Sequence, residues 1–114
     1  MNSDLLRGTL EMILLQVIAD GASYGYEIAQ SVKRTSGGDV LAQEGTLYPA
    51  LHRLEKRKLL KATWAESPQG RKRKHYKLTA EGKKQLEALR EEWEAYNQSV
   101  RKLMGLADAQ FVFG

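Results

Sequence analysis

One short segment and one cation cluster downstream of it hold the side chains whose types and spacing could do chemistry, and that chemistry is recognition of a polyanion. The segment is Glu44-Gly-Thr-Leu-Tyr-Pro-Ala-Leu-His-Arg-Leu-Glu-Lys56. Wound as a helix, it places Leu47, Ala50, Leu51 and Leu54 on one face and leaves Thr46, Tyr48, His52, Arg53 and Lys56 outside it. An arginine can bond guanine O6 and N7 as a fork, worth roughly 1–3 kcal/mol of discrimination between bases. Threonine and the free N–H groups of a first helical turn suit a phosphate. The downstream cluster, Arg71, Lys72, Arg73 and Lys74, leads into a strand-like run and suits a phosphate backbone or a minor groove.

The charge distribution supports that reading. Residues 53 to 84 hold twelve Lys/Arg against three acids, a net of +9, while the other 82 residues net −5. A polyanion would be drawn to one part of the molecule and mildly repelled by the rest. Other chemistries find little support. The two histidines, His52 and His75, fall on different elements, and no Asp/Glu/His set has metal-ligand spacing. The chain has no cysteine, hence no disulfide and no thiolate nucleophile. Gly21 to Gly25 and Gly37-Gly38 read as turns, without a phosphate-loop or dinucleotide pattern. No catalytic residues, no cofactor and no metal are expected. No apolar run approaches the ~20 residues of a membrane span. The first residues lack the pattern of a signal peptide, so the expected location is cytoplasmic.

The elements that must position these residues can be read from periodicity. Residues 4 to 19 form a helix that is apolar on two sides, through Leu6, Leu10, Ile13, Leu14 and Val17 and through Met12, Leu15 and Ala19. The second side is expected to meet another subunit. Asp20-Gly21 ends the helix. Ser23 is the expected N-cap of a second helix, Tyr24 to about Thr35, broken by Ser36 to Asp39. The third helix starts near Gly45, because Pro49 fits only a first turn. Residues 61–66 and 73–78 read as two strands joined by an exposed basic turn. In them Ala62 and Trp64 share a face, as do Tyr76 and Leu78, and Trp64 is expected to pack. A helix able to enter a groove beside a basic hairpin is the working end of a winged helix-turn-helix.

Thr79 should cap a last helix that Gly105 stops. Its apolar residues Leu86, Leu89, Trp93, Tyr96, Val100 and Leu103 are spaced as a heptad seam. At ~1.5 Å per residue such a helix is about 39 Å long, more than the head can cover. The fold expectation is therefore mainly α with a small β-hairpin. A winged-helix head (1–78) precedes a dimerisation helix (79–105) and a tail (106–114) in which Phe111 to Gly114 have no assigned role. The homodimer would be held by Leu10, Ile13 and Leu14 together with Leu86, Leu89, Trp93, Val100 and Leu103.

The order of these elements resembles the PadR family of transcriptional regulators, in its compact form with a single C-terminal helix. The resemblance is carried by Tyr24-Gly-Tyr-Glu-Ile28, Gly45-Thr-Leu-Tyr-Pro49, Leu51, Arg53-Leu-Glu55, Leu59-Leu60, Gly70-Arg71 and Tyr76-Lys-Leu-Thr79. It covers residues 5 to about 104. It implies a homodimeric, usually repressing protein that binds near-palindromic operators in duplex DNA, often answering to small aromatic or drug-like molecules. Tyr24, Thr46, Tyr48, His52, Arg53, Lys56 and Arg71 to Lys74 are then the candidate DNA contacts. Trp93 at the centre of the seam could stack a planar aromatic ligand, with Met12, Leu15 and Tyr96 as further lining. Two departures stand out: Lys58 where the family usually has glycine, and a wing with Lys72 and His75 where proline and tyrosine are common. The alternatives are a winged-helix module that binds protein and an RNA reader. The first expects a mixed or apolar surface, and the second needs exposed aromatic platforms, for which Tyr24 and Tyr48 are the candidates.

Overall fold

The computed structural model describes residues 3–38 and 44–106, so Asp39 and the Phe111–Gly114 tail lie outside the described residues. The order is α1 (Ser3–Ala19), α2 (Gly25–Thr35), α3 (Glu44–Lys56), β1 (Leu60–Glu66), β2 (Lys72–Leu78) and α4 (Ala80–Leu103). Leu14, Leu15, Ile28, Leu47, Leu51, Leu54 and Leu60 are the largest fully buried side chains. They come from α1, α2, α3 and β1 and form one core.

Helix α1 is central. It packs against α2, α3, β2 and α4 of its own chain, burying Leu10, Leu14, Leu15 and Val17 and leaving Met12 and Ile13 partly buried. This corrects the expectation of a subunit contact at Leu10 and Leu14, which are 7% and 0% exposed within the protomer. Leu86 is likewise buried in this core rather than offered to a partner, and Leu15 is too buried to line a ligand site. Each of these side chains contributes to the head's own stability, on the order of 1.5–3 kcal/mol for a fully buried leucine.

The hairpin pairs Leu60 with Leu78, Ala62 with Tyr76, Trp64 with Lys74 and Glu66 with Lys72. The alternation is the expected one, with Leu60 and Tyr76 buried. Trp64 shares their face but is 66% exposed. The expectation that it packs is corrected: the hairpin runs on past the edge of the core, and Trp64 sits beyond that edge. The other edge of β2 is tied to the turn before α2. Tyr24 bridges His75, the Tyr76 N–H donates to the Ser23 carbonyl at 2.8 Å, and Ser23 Oγ lies 2.8 Å from His75 Nδ1. Ser23 is therefore not the N-cap. Tyr24 holds that position without a side-chain bond, while the Ser23 N–H donates to Glu27 Oε1 at 2.6 Å.

All four helices stop in the same way. The residue after the C-cap has positive φ, and the two N–H groups there bond back to carbonyls of the last turn, closing a Schellman motif. At these four stops the positive-φ residue is Gly21, Gly37, Lys58 or Gly105. Lys58, at φ 63°, is the only non-glycine with positive φ among the described residues. Its stop is also a joint. Thr79 Oγ1 donates to the Lys58 carbonyl at 2.7 Å, and the Thr79 N–H donates to the Leu59 carbonyl at 3.1 Å. Thr79 Oγ1 in turn accepts from the Gly82 N–H at 3.0 Å, capping α4 as expected. Gly82 lies directly on the Leu59 carbonyl, where a Cβ would overlap the oxygen. The exit of α3 thus fixes the entry of α4.

Helix α4 has 24 residues, ~36 Å at 1.5 Å per residue. The molecule is 54 Å long but only 29 and 26 Å across. The first turns pack on the head through Leu86 and, in part, Leu89. Further along, Tyr96 and Leu103 are 70% and 87% exposed, and Met104 and Leu106 are exposed as well.

Candidate nucleic-acid interface

The outer face of α3 is set by its inner face. Leu47, Ala50, Leu51 and Leu54 are all buried, which turns Thr46, Tyr48, His52, Arg53 and Lys56 outward, and all five are exposed. Arg53 has no ion pair among the described residues, and Glu27 of α2 accepts from the Ser23 N–H. Tyr48 has a second role. Its ring lies on Gly25 so closely that a Cβ there would sit 2.5 Å from Cε1, so this tyrosine sets the α2–α3 crossing as well as facing outward. Arg57 leaves the outer face and pairs with Glu11 of α1 at 2.8 Å.

The wing turn is built by Ser67. Its N–H donates to the Arg71 carbonyl at 2.6 Å, its hydroxyl accepts from the Arg71 N–H at 3.2 Å, and its carbonyl accepts from Gly70 at 2.9 Å. This holds Arg71 and Lys72 exposed at the tip. The four cations read as one cluster in the sequence are two pairs in space. Arg73 lies over the Tyr24 ring at 4.2 Å, close to Gln69 Oε1 at 3.4 Å. Lys74 reaches back to α3 and bonds Glu55 Oε1 at 2.6 Å. The hydrogen bond to Glu55 holds the Lys74 ammonium above its ordinary pKa, against some opposition from burial. Tyr76 beneath it is pushed up as well, by burial first, with the Lys74 charge working the other way. Lys74 therefore ties the wing to α3 rather than standing free. Sequence reasoning missed Glu55 because a helix residue's partner on a hairpin depends on the angle between the two. Tyr24, also a candidate contact, is half-buried and serves as the plate under Arg73.

A cavity of about 430 Å³ lies between the wing and the start of α2, lined by Tyr24, Gly25, Tyr26, Tyr48, Trp64, Lys72, Arg73, Lys74 and Tyr76. A second, of about 660 Å³, lies on the far side between α1, α2 and α4. Its apolar walls are Met12, Ile13, Val17, Val32 and Trp93, and its rim carries Glu87, Glu91 and Glu94 with Arg90. Of the four residues expected around a ligand, Met12 and Trp93 line this cavity, whereas Leu15 and Tyr96 are not among its lining residues. No group of three or more potential metal ligands occurs among the described residues, and none of the described helices is long and apolar enough to cross a membrane.

Comparison with known proteins agrees with this architecture. A transcriptional regulator from Clostridium thermocellum superposes with a TM-score of 0.80 at 34% identity, covering 87% of this chain and 96% of that one. A PadR-like transcriptional regulator from Bacillus cereus gives 0.75 at 35% identity, with 89% and 96% covered. An uncharacterised protein of Lysinibacillus sphaericus is 38% identical over 91 residues, 80% of this chain and 84% of that protein. The sequence model of the transcriptional regulator PadR-like family matches residues 14–88, most of the head and the start of α4. The chain belongs to the PadR-like family of transcriptional regulators, which are not enzymes.

Proposed function

We propose that this protein is a homodimeric, sequence-specific repressor that acts in the cytoplasm, binds a near-palindromic operator in duplex DNA, and releases it when a small planar aromatic ligand binds. One observation carries the DNA-binding part: α3 presents Thr46, Tyr48, His52, Arg53 and Lys56 outward, beside a wing whose tip exposes Arg71 and Lys72. The helix reads base edges, with Arg53 as the strongest reader and His52, Lys56 and Tyr48 beside it. Thr46 and the wing tip hold the backbone.

Dimerisation is supported by the far half of α4, where Trp93, Tyr96 and Leu103 are apolar residues that the described residues leave exposed. Val100 continues the seam. Contiguous apolar surface of this kind marks an association site. Leu89 and Ile13, both partly buried against the core, lie at its inner edge. The groove beside Trp93 supports the ligand part. Three carboxylates against one guanidinium on its rim favour a neutral or cationic planar molecule over a carboxylate.

The test is fluorescence anisotropy of labelled duplexes, one from the gene's own promoter and one scrambled. If the dimer neutralises about 6–10 phosphates, affinity for the promoter falls roughly 10³–10⁵-fold between 50 and 200 mM salt. Equal affinity for both duplexes, or no dependence on salt, would overturn the reading.

A further inference from the structure

Trp64 has no role in the core and none in the recognition helix. It is 66% exposed, on the face of β1 that continues the buried Leu60 and the partly buried Ala62, and it lines the cavity between the wing and the start of α2. Around it stand Tyr24, Tyr26 and Tyr48, and the cations Lys72 and Arg73. An exposed tryptophan ordinarily costs solubility, and a wing needs no apolar residue to stay a hairpin. What does suit this place is a ligand with both a negative charge and a flat or apolar flank.

Tyr48, from the outer face of α3, and Lys72, at the wing tip, both line the cavity. Duplex DNA seated on α3 offers one thing there, its sugar–phosphate backbone. A deoxyribose presents C–H groups that pack on an aromatic face, and the adjoining phosphate accepts hydrogen bonds from an indole N–H, a phenol or a lysine. We propose that this concavity is a backbone seat, in which the Trp64 indole contacts a deoxyribose of bound duplex and Lys72 and Arg73 flank the adjoining phosphate. The inference rests on the DNA-binding reading above and adds an uncharged anchor to it. Lys74 cannot take this part, since Glu55 holds it at 2.6 Å. Arg73 over Tyr24 keeps one wall of the seat in place before DNA arrives.

The experiment uses the full chain carrying Trp93→Phe, which leaves Trp64 as the sole tryptophan. Anisotropy of a labelled promoter duplex records whether DNA binds, and acrylamide quenching of Trp64 records whether it is covered. The expected result is strong quenching in the free protein and marked protection in the complex. In the otherwise native chain, Trp64→Ala should weaken promoter and scrambled duplex alike by about tenfold. It should leave the salt slope unchanged, because no cation is lost. Trp64→Phe should recover part of the affinity. A melting curve matching the parent's would exclude unfolding as the cause of the loss. Bound DNA with Trp64 still fully open to acrylamide would overturn the seat while leaving the DNA-binding reading intact. Failure of the otherwise native chain to bind any duplex would overturn both.

Discussion

Two substitutions at the α3–α4 joint should change stability in opposite directions. Lys58 holds φ 63° in a position that three other helices of this chain give to glycine. The left-handed conformation costs an L-residue roughly 1–2 kcal/mol. Glycine escapes that cost but loses more chain entropy on folding, roughly 0.5–1 kcal/mol. Lys58→Gly should therefore stabilise the protein by about 1 kcal/mol, a rise of roughly 4 °C in Tm for a chain of this size. Gly82→Ala is the converse. Alanine raises helix propensity by about 1 kcal/mol, but its Cβ would overlap the Leu59 carbonyl, backbone against backbone, with nothing free to rotate away. Overpacking costs of roughly 1–3 kcal/mol or more then dominate, for a net loss of about 2 kcal/mol. The assay is thermal unfolding followed by circular dichroism, with all variants at one protomer concentration so that association contributes equally. Lys58→Ala serves as a control that keeps the strain. A Lys58→Gly protein no more stable than Lys58→Ala would refute the strain argument, and a Gly82→Ala protein as stable as wild type would refute the joint.

The division of the wing cations gives a second expectation. Arg71→Ala with Lys72→Ala removes four free charges per dimer, so the slope of log affinity against log salt should fall by roughly 3 to 4, measured by anisotropy. Lys74→Ala should change the slope less, because its charge is already paired with Glu55. A third expectation concerns alkali. Lys74 and Tyr76 both have pKa values raised above their ordinary 10.5 and 10.0. The native state thus holds these protons more tightly than the unfolded chain. The stability they contribute is fully present below pH ~10 and is lost as pH rises through the folded values. Chemical denaturation at stepped pH should show that fall, and Glu55→Gln should make it shallower. Fourth, Val100→Lys with Leu103→Lys puts like charges on the exposed end of α4. By light scattering, the variant should be monomeric where wild type is a dimer, with the head's own melting transition retained.

The parts of this fold that depend on one element's own periodicity were legible in the sequence. Leu47, Ala50, Leu51 and Leu54 fix which way α3 faces, and so which five side chains lie outside, without any knowledge of what covers them. The Thr79 cap and the Gly105 stop are equally local. What escaped was everything that depends on where the core ends. Helix α1 is apolar on two sides, and periodicity cannot say whether the second side meets a partner or a fourth element of the same chain. In a head this small it meets α4 and β2, and Leu10, Leu14 and Leu15 vanish into the interior.

The two tryptophans make the same point in opposite senses. Trp64 and Tyr76 fall on one face of the hairpin, and alternation assigns both to the core. Tyr76 is covered because it pairs with Ala62, above the packed helices. Trp64 pairs with Lys74, one step further out, where β1 has left the head. Trp93 sits on a heptad seam whose first members, Leu86 and Leu89, do pack on the head, and it marks where α4 leaves that support. Each tryptophan therefore stands at the boundary of the self-contained core, one on the wing and one on the long helix. A large apolar side chain at such a boundary exposes surface that the described residues leave uncovered. On the proposals above, bound DNA would cover Trp64 at the wing, and a partner subunit or planar ligand would cover Trp93 at α4. The charges around them are unequal, Lys72 and Arg73 beside Trp64 but Glu87, Glu91 and Glu94 beside Trp93, so a polyanion would be drawn to the first place and repelled from the second.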